Sequence, residues 1–87
     1  MVNEIELLKK YIAVTLRKFR AEKHITQEEL AEISGVNIGT ITRYESGTIM
    51  QSLDKLSAIL KNYNVNLYIF FKEVYENMYR LENKKEC

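Results

Sequence analysis

Eighty-seven residues, 46% of them hydrophobic, make one small domain with enough apolar content for a core and no room for a second. A net charge of only +1 argues against a surface that attracts DNA over its whole extent. There is no apolar run of about 18 residues and no secretory signal pattern, which excludes a membrane span and points to the cytoplasm.

A chain this short buries a limited share of its surface, so a partner subunit is expected. The lone cysteine, Cys87, cannot close an internal disulfide and reads as a reduced, idle thiol. Charge is uneven along the chain. Residues 1–24 hold six Lys/Arg against three Glu. Residues 25–50 hold Arg43 alone against Glu28, Glu29, Glu32 and Glu45.

Asn3 is placed to cap a first helix, with Glu6 three residues on. Ile5, Leu8, Ile12, Leu16 and Phe19 recur at three- and four-residue steps, and Leu7, Tyr11 and Val14 broaden this apolar stripe. The surplus is expected to pack on the C-terminal segment.

Residues 24–47 read as two short helices joined by a tight turn. Thr26 and Glu29 have the spacing of a capping box. Leu30, Ala31 and Ile33 give the first of these helices a buried side. Gly35 ends it where a positive φ is needed. Asn37 caps the second, Ile41 and Tyr44 share its inner face, and Gly47 closes it. This pattern is a helix-turn-helix over 26–47. After a loop at 48–51, Ser52 is a natural cap for a helix carrying Leu53, Leu56, Ile59 and Leu60, and Asn62 and Asn64 flank its stop.

Residues 65–71 are dense in β-branched and aromatic side chains, and Val65, Leu67, Ile69 and Phe71 alternate onto one face, which predicts a strand. A lone strand leaves its backbone groups unpaired, so the same strand of a second copy would pair with it across a two-fold axis. A buried helix is the alternative for an apolar run of this length. Val74, Met78 and Leu81 return to helical spacing.

Gln27-Glu-Glu-Leu-Ala31, Gly35-Val36-Asn37 and Ile41-Thr-Arg-Tyr-Glu-Ser-Gly47 together resemble the lambda-repressor-like (Cro/Xre type) DNA-binding family from about Leu16 to Leu60. The resemblance implies an all-α, lambda-repressor-like helix-turn-helix bundle of about five helices. The short C-terminal β-strand is added to this for dimerisation. Residues 1–64 would form the DNA-binding part and 65–87 a dimerisation element of the same domain.

By the family's pattern Gln27 bonds a phosphate, and Asn37, Ile38, Gly39, Thr40, Thr42, Arg43 and Ser46 complete the DNA-binding set. Arg43 suits guanine O6 and N7. Ile38 and Gly39 depart from the polar pairs often found at their positions, which leaves the readout sparse. Arg20 and Glu45 match a family pair that fixes the second motif helix.

His24 has no companion ligand cluster, so no metal or other cofactor is expected, and no nucleophile has an evident base. The six tyrosines read as core and interface residues. The function implied is a sequence-specific transcriptional regulator, a repressor, binding a palindromic double-stranded DNA operator as a homodimer. Two alternatives stand beside it: an antitoxin-type regulator that also binds a toxin protein, and an interaction module that kept the fold without DNA binding. An enzyme is the weakest reading.

Overall fold

The computed structural model describes residues 3–48 and 52–85, with side chains to Asn83; the loop position Gln51, the side chains of Lys84 and Lys85, and Cys87 lie outside the described residues. Five α-helices follow one another: α1 (Glu4–Lys23), α2 (Gln27–Ser34), α3 (Ile38–Ser46), α4 (Leu53–Leu60) and α5 (Leu67–Lys85). A 3-10 turn, Lys61–Tyr63, continues α4.

Local chemistry sets the boundaries. Asn3 Oδ1 accepts the Ile5 amide at 2.7 Å and opens α1. His24, at φ 58°, closes it. At α2 the capping box is complete: Glu29 N donates to Thr26 Oγ1 at 3.0 Å and Thr26 N to Glu29 Oε1 at 2.9 Å. Gly35 and Gly47 both take φ 73°, a conformation side chains disfavour, and so end α2 and α3 sharply. Ser52 caps α4, and its Oγ accepts the Lys55 amide at 3.5 Å.

The strand expected over 65–71 is not formed, and there is no strand among the described residues. The chain turns at Asn64 (φ 56°), and Asn66 Oδ1 accepts the Ile69 amide at 2.8 Å, which starts α5. A helix satisfies its backbone groups internally, whereas a single strand needs a partner. The apolar residues suit the helix better. Leu67, Phe70, Phe71, Val74, Met78 and Leu81 form one continuous stripe at helical spacing. Val65, Leu67, Ile69 and Phe71 consequently do not share a face. Leu67 and Phe71 lie one turn apart, Ile69 is 46% exposed on another side, and Val65 precedes the helix, packed on the core.

The core is built around α1. Tyr11, Ile12 and Leu16 meet Leu30 of α2, Ile41 and Tyr44 of α3, Leu56, Ile59 and Leu60 of α4, and Phe70 and Val74 of α5. α5 packs along α1 from Tyr11 to Phe19, as the surplus apolar surface of α1 implied. That seam is polar at its centre. Thr15, fully buried, donates to the Tyr11 carbonyl at 2.7 Å, Asn77 Nδ2 donates to Thr15 Oγ1 at 3.3 Å, and Arg80 holds the Asn77 oxygen at 2.7 Å. Lys18 and Glu73 pair across the same seam at 2.6 Å, which raises the Lys18 pKa above its ordinary value. Phe19 stacks on Tyr63 at 5.6 Å between ring centroids and closes the α1 end nearest the motif.

Candidate nucleic-acid interface

The α2–turn–α3 unit is held from behind by α1. Arg20 Nε reaches both carboxylate oxygens of Glu45, at 2.8 and 3.1 Å, and its Nη1 donates to the Ile25 carbonyl at 2.9 Å. Glu45 is only 4% exposed. Its hydrogen bond to Arg20 raises the guanidinium's pKa above the ordinary value. The carboxylate is buried whereas the guanidinium keeps 23% of its side chain exposed, so losing Arg20, which leaves the Glu45 charge buried without its ion partner, is the costlier of the two changes. Arg17 also crosses from α1 and donates to the Glu45 carbonyl. Nothing in the motif pattern singled out Arg17. The available signal was its spacing, three residues from Arg20 on the same face of α1.

The same C-terminal end of α3 is fastened a second time. Tyr44 is buried, and its hydroxyl donates to the Ser52 carbonyl at 3.0 Å, tying α3 to the start of α4. Burial pushes its pKa up to about 12. The Tyr63 hydroxyl lies close by, buried and without a hydrogen-bond partner among the described residues; burial, with the nearby Glu45 charge, pushes it up to about 12 as well.

The predicted contact residues divide into three groups. Ile38, Thr42, Arg43 and Ser46 are exposed on α3, with Gly39 half-buried beside them. The Arg43 side chain makes no hydrogen bond or ion pair among the described residues. Ser46 Oγ donates to the Arg43 carbonyl at 3.0 Å. Asn37 is exposed, but its side-chain oxygen is engaged as the α3 cap, accepting the Gly39 amide at 2.7 Å. Thr40 is the exception. It is 8% exposed and faces inward beside Ile41, which takes its side chain off the outer face where the sequence pattern placed it.

Gln27 sits at the junction of the two helices, half-buried. Its Nε2 donates to Glu45 Oε1 at 3.1 Å, and its Oε1 accepts the Thr42 hydroxyl at 3.2 Å. A relay therefore runs from Arg20 through Glu45 and Gln27 to Thr42, from the core side of α1 to the outer face of α3. The arrangement offers a surface, not a reaction centre. It presents one cation, two hydroxyls and two apolar positions on a short, firmly seated helix.

Such a helix, presented by a preceding capped helix and a tight glycine turn, has close counterparts. A helix-turn-helix family model matches residues 16–70, well over half the chain. No curated protein matches the sequence. Among solved structures, the clp gene regulator ClgR from Corynebacterium glutamicum superposes with a TM-score of 0.82 at 26% identity, covering 91% of this chain and 84% of that one. The restriction-modification controller protein C.Esp1396I, as a tetramer in complex with its natural 35 base-pair operator, gives a TM-score of 0.72 at 27% identity, covering 82% and 93%. The chain belongs to the Cro/Xre-like helix-turn-helix family.

Proposed function

We propose that this protein is a sequence-specific DNA-binding transcriptional regulator, a repressor, that lays α3 in the major groove. The observation that carries the reading is the exposed Arg43, its side chain unpaired, on the outer face of a helix whose inner face is buried, whose start is capped by Asn37 and whose last turn is fixed through Tyr44 and Glu45. Arginine in that setting is suited to bidentate bonding with guanine. The solved neighbours support it: one is a gene regulator and the other is seen on its operator. Neither the antitoxin reading nor the DNA-free module draws support from them.

The protein acts as a homodimer on a palindromic site, with two copies of α3 about 34 Å apart in successive major grooves. With residues 65–71 forming no strand, the dimer contact falls to the outer side of α5. Leu53 from α4 and Leu67, Tyr68, Phe71 and Tyr75 from α5 line one apolar groove there, and Tyr68 is 74% exposed. The stripe runs on through Tyr79 to the side of α5 that meets Leu7 of α1. Solvent-exposed aromatics in this number on one helix side are what a self-associating face presents. The acidic motif gains its phosphate attraction from helix N-termini and from two copies acting together.

The test is selection of bound duplexes from a random pool, followed by Arg43→Ala. The variant is expected to lose about 1–3 kcal/mol of discrimination between selected and random DNA. An equal loss on both would remove Arg43 from base readout, and a pool that yields no bound sequence would remove the function.

A further inference from the structure

We infer that Thr42 is a specificity-determining residue that reads the amino bases, adenine or cytosine, on the strand it faces. The inference rests on the DNA-binding reading above and deepens it. The Thr42 hydroxyl has two near neighbours, the Ile38 carbonyl at 3.0 Å and Gln27 Oε1 at 3.2 Å. Both are oxygens without a proton, so both can only accept. The Gln27 amide does not choose its orientation freely. The Glu45 carboxylate, ionised beside Arg20, also only accepts, so the amide must turn its NH2 toward Glu45 and its oxygen toward Thr42.

The single hydroxyl proton of Thr42 is therefore directed inward to one acceptor or the other. What the exposed side chain offers outward is a pair of oxygen lone pairs and a methyl group. Lone pairs match the exocyclic amino groups of adenine N6 and cytosine N4 in the major groove; they are repelled by guanine O6, thymine O4 and phosphate oxygens. Thr42 is thus a base reader and not a phosphate contact. Gln27, which stays behind the reading surface, is a positioning residue whose role is to hold that polarity.

The experiment compares sequences selected from random duplex pools by the parent protein, Thr42→Val, Thr42→Ser and Gln27→Met. Valine keeps the shape without the oxygen, and serine restores the hydroxyl. The parent and Thr42→Ser are expected to prefer A or C over G or T at one position per half-site, by roughly fivefold to tenfold. Thr42→Val is expected to lose that preference with the other positions unchanged. Gln27→Met leaves the Ile38 carbonyl as the single inward acceptor, holds the hydroxyl proton less firmly, and is expected to narrow the preference to about twofold while the fold, followed by circular dichroism, is retained. A G or T preference in the parent, or selected sequences identical for the parent and Thr42→Val, would overturn the inference and leave the DNA-binding reading standing. Failure of the parent to select any sequence would overturn both.

Discussion

Tyr44 and Tyr63 differ in one atom's surroundings. Both are tyrosines held up to about 12 by burial, but the Tyr44 hydroxyl donates to the Ser52 carbonyl, whereas the Tyr63 hydroxyl meets no acceptor among the described residues. A buried polar group left unpaired costs about 1–3 kcal/mol, and a satisfied one returns about 1 kcal/mol. Tyr63→Phe should therefore raise stability by about 1 kcal/mol and Tyr44→Phe should lower it by about the same amount, measured by urea denaturation. The pH dependence has a definite sign. An unfolded tyrosine titrates near pH 10, below the folded value. The neutral hydroxyl is favoured in the folded state, so this contribution is whole below about pH 10 and is lost as pH rises toward 12. Tyr63→Phe should make the alkaline decline of stability between those values shallower, and an unchanged profile would show that the residue does not titrate with unfolding.

The helices themselves were largely legible in the sequence because caps are local. Thr26 with Glu29, Asn37 before Ile38, and Ser52 before Leu53 each specify a helix start within a few residues. Residues 65–71 were ambiguous when read by their apolar pattern alone. Six apolar residues among seven fit a two-residue period as well as a helical one, and the decisive signals were the one polar residue, Asn66, acting as a cap, and the stripe continuing beyond the window through Val74, Met78 and Leu81. Thr40 was legible in principle, because it stands four residues before Tyr44 and shares its inner face. Arg17 shares a helix face with Arg20, but its bond to the Glu45 carbonyl depends on how α1 crosses α3, which that spacing does not specify. Because Asn66 replaces a strand by a helix start, Asn66→Ala should cost about 1 kcal/mol and lower the midpoint of thermal unfolding followed by circular dichroism. An unchanged midpoint would mean that packing of Phe70 and Val74 alone sets the start of α5.

For the molecule as a whole, α5 has two duties on different sides. Phe70, Val74 and Asn77 face α1 and the core, while Tyr68, Tyr75 and Tyr79 face outward. The outward side can thus be altered without disturbing the inward one. Tyr68→Glu combined with Tyr75→Glu should leave the helical content intact, convert a dimer to a monomer in sedimentation velocity, and weaken binding to a palindromic operator far more than to one half-site. A double variant that remains dimeric would place the contact elsewhere, with the first helix as the next candidate.

The polar seam between α1 and α5 carries a further meaning in time. Asn77 and Thr15 are 62 positions apart, and Tyr11 bonds Glu82 across 71. Every other packing of α1 closes a shorter loop, so the chain entropy lost on joining these two helices is recovered last. The helix-turn-helix can assemble on its own side of α1 before α5 docks on another side of the same helix. Interactions made after the rate-limiting step govern escape from the native state and not arrival at it. Asn77→Ala should accordingly speed unfolding while leaving the refolding rate nearly unchanged, as two arms of a stopped-flow denaturant series would show. A slowed refolding arm would instead put the α1–α5 seam in the folding nucleus. If the seam closes late, its lifetime, not that of the DNA-reading half, sets how long the native molecule persists.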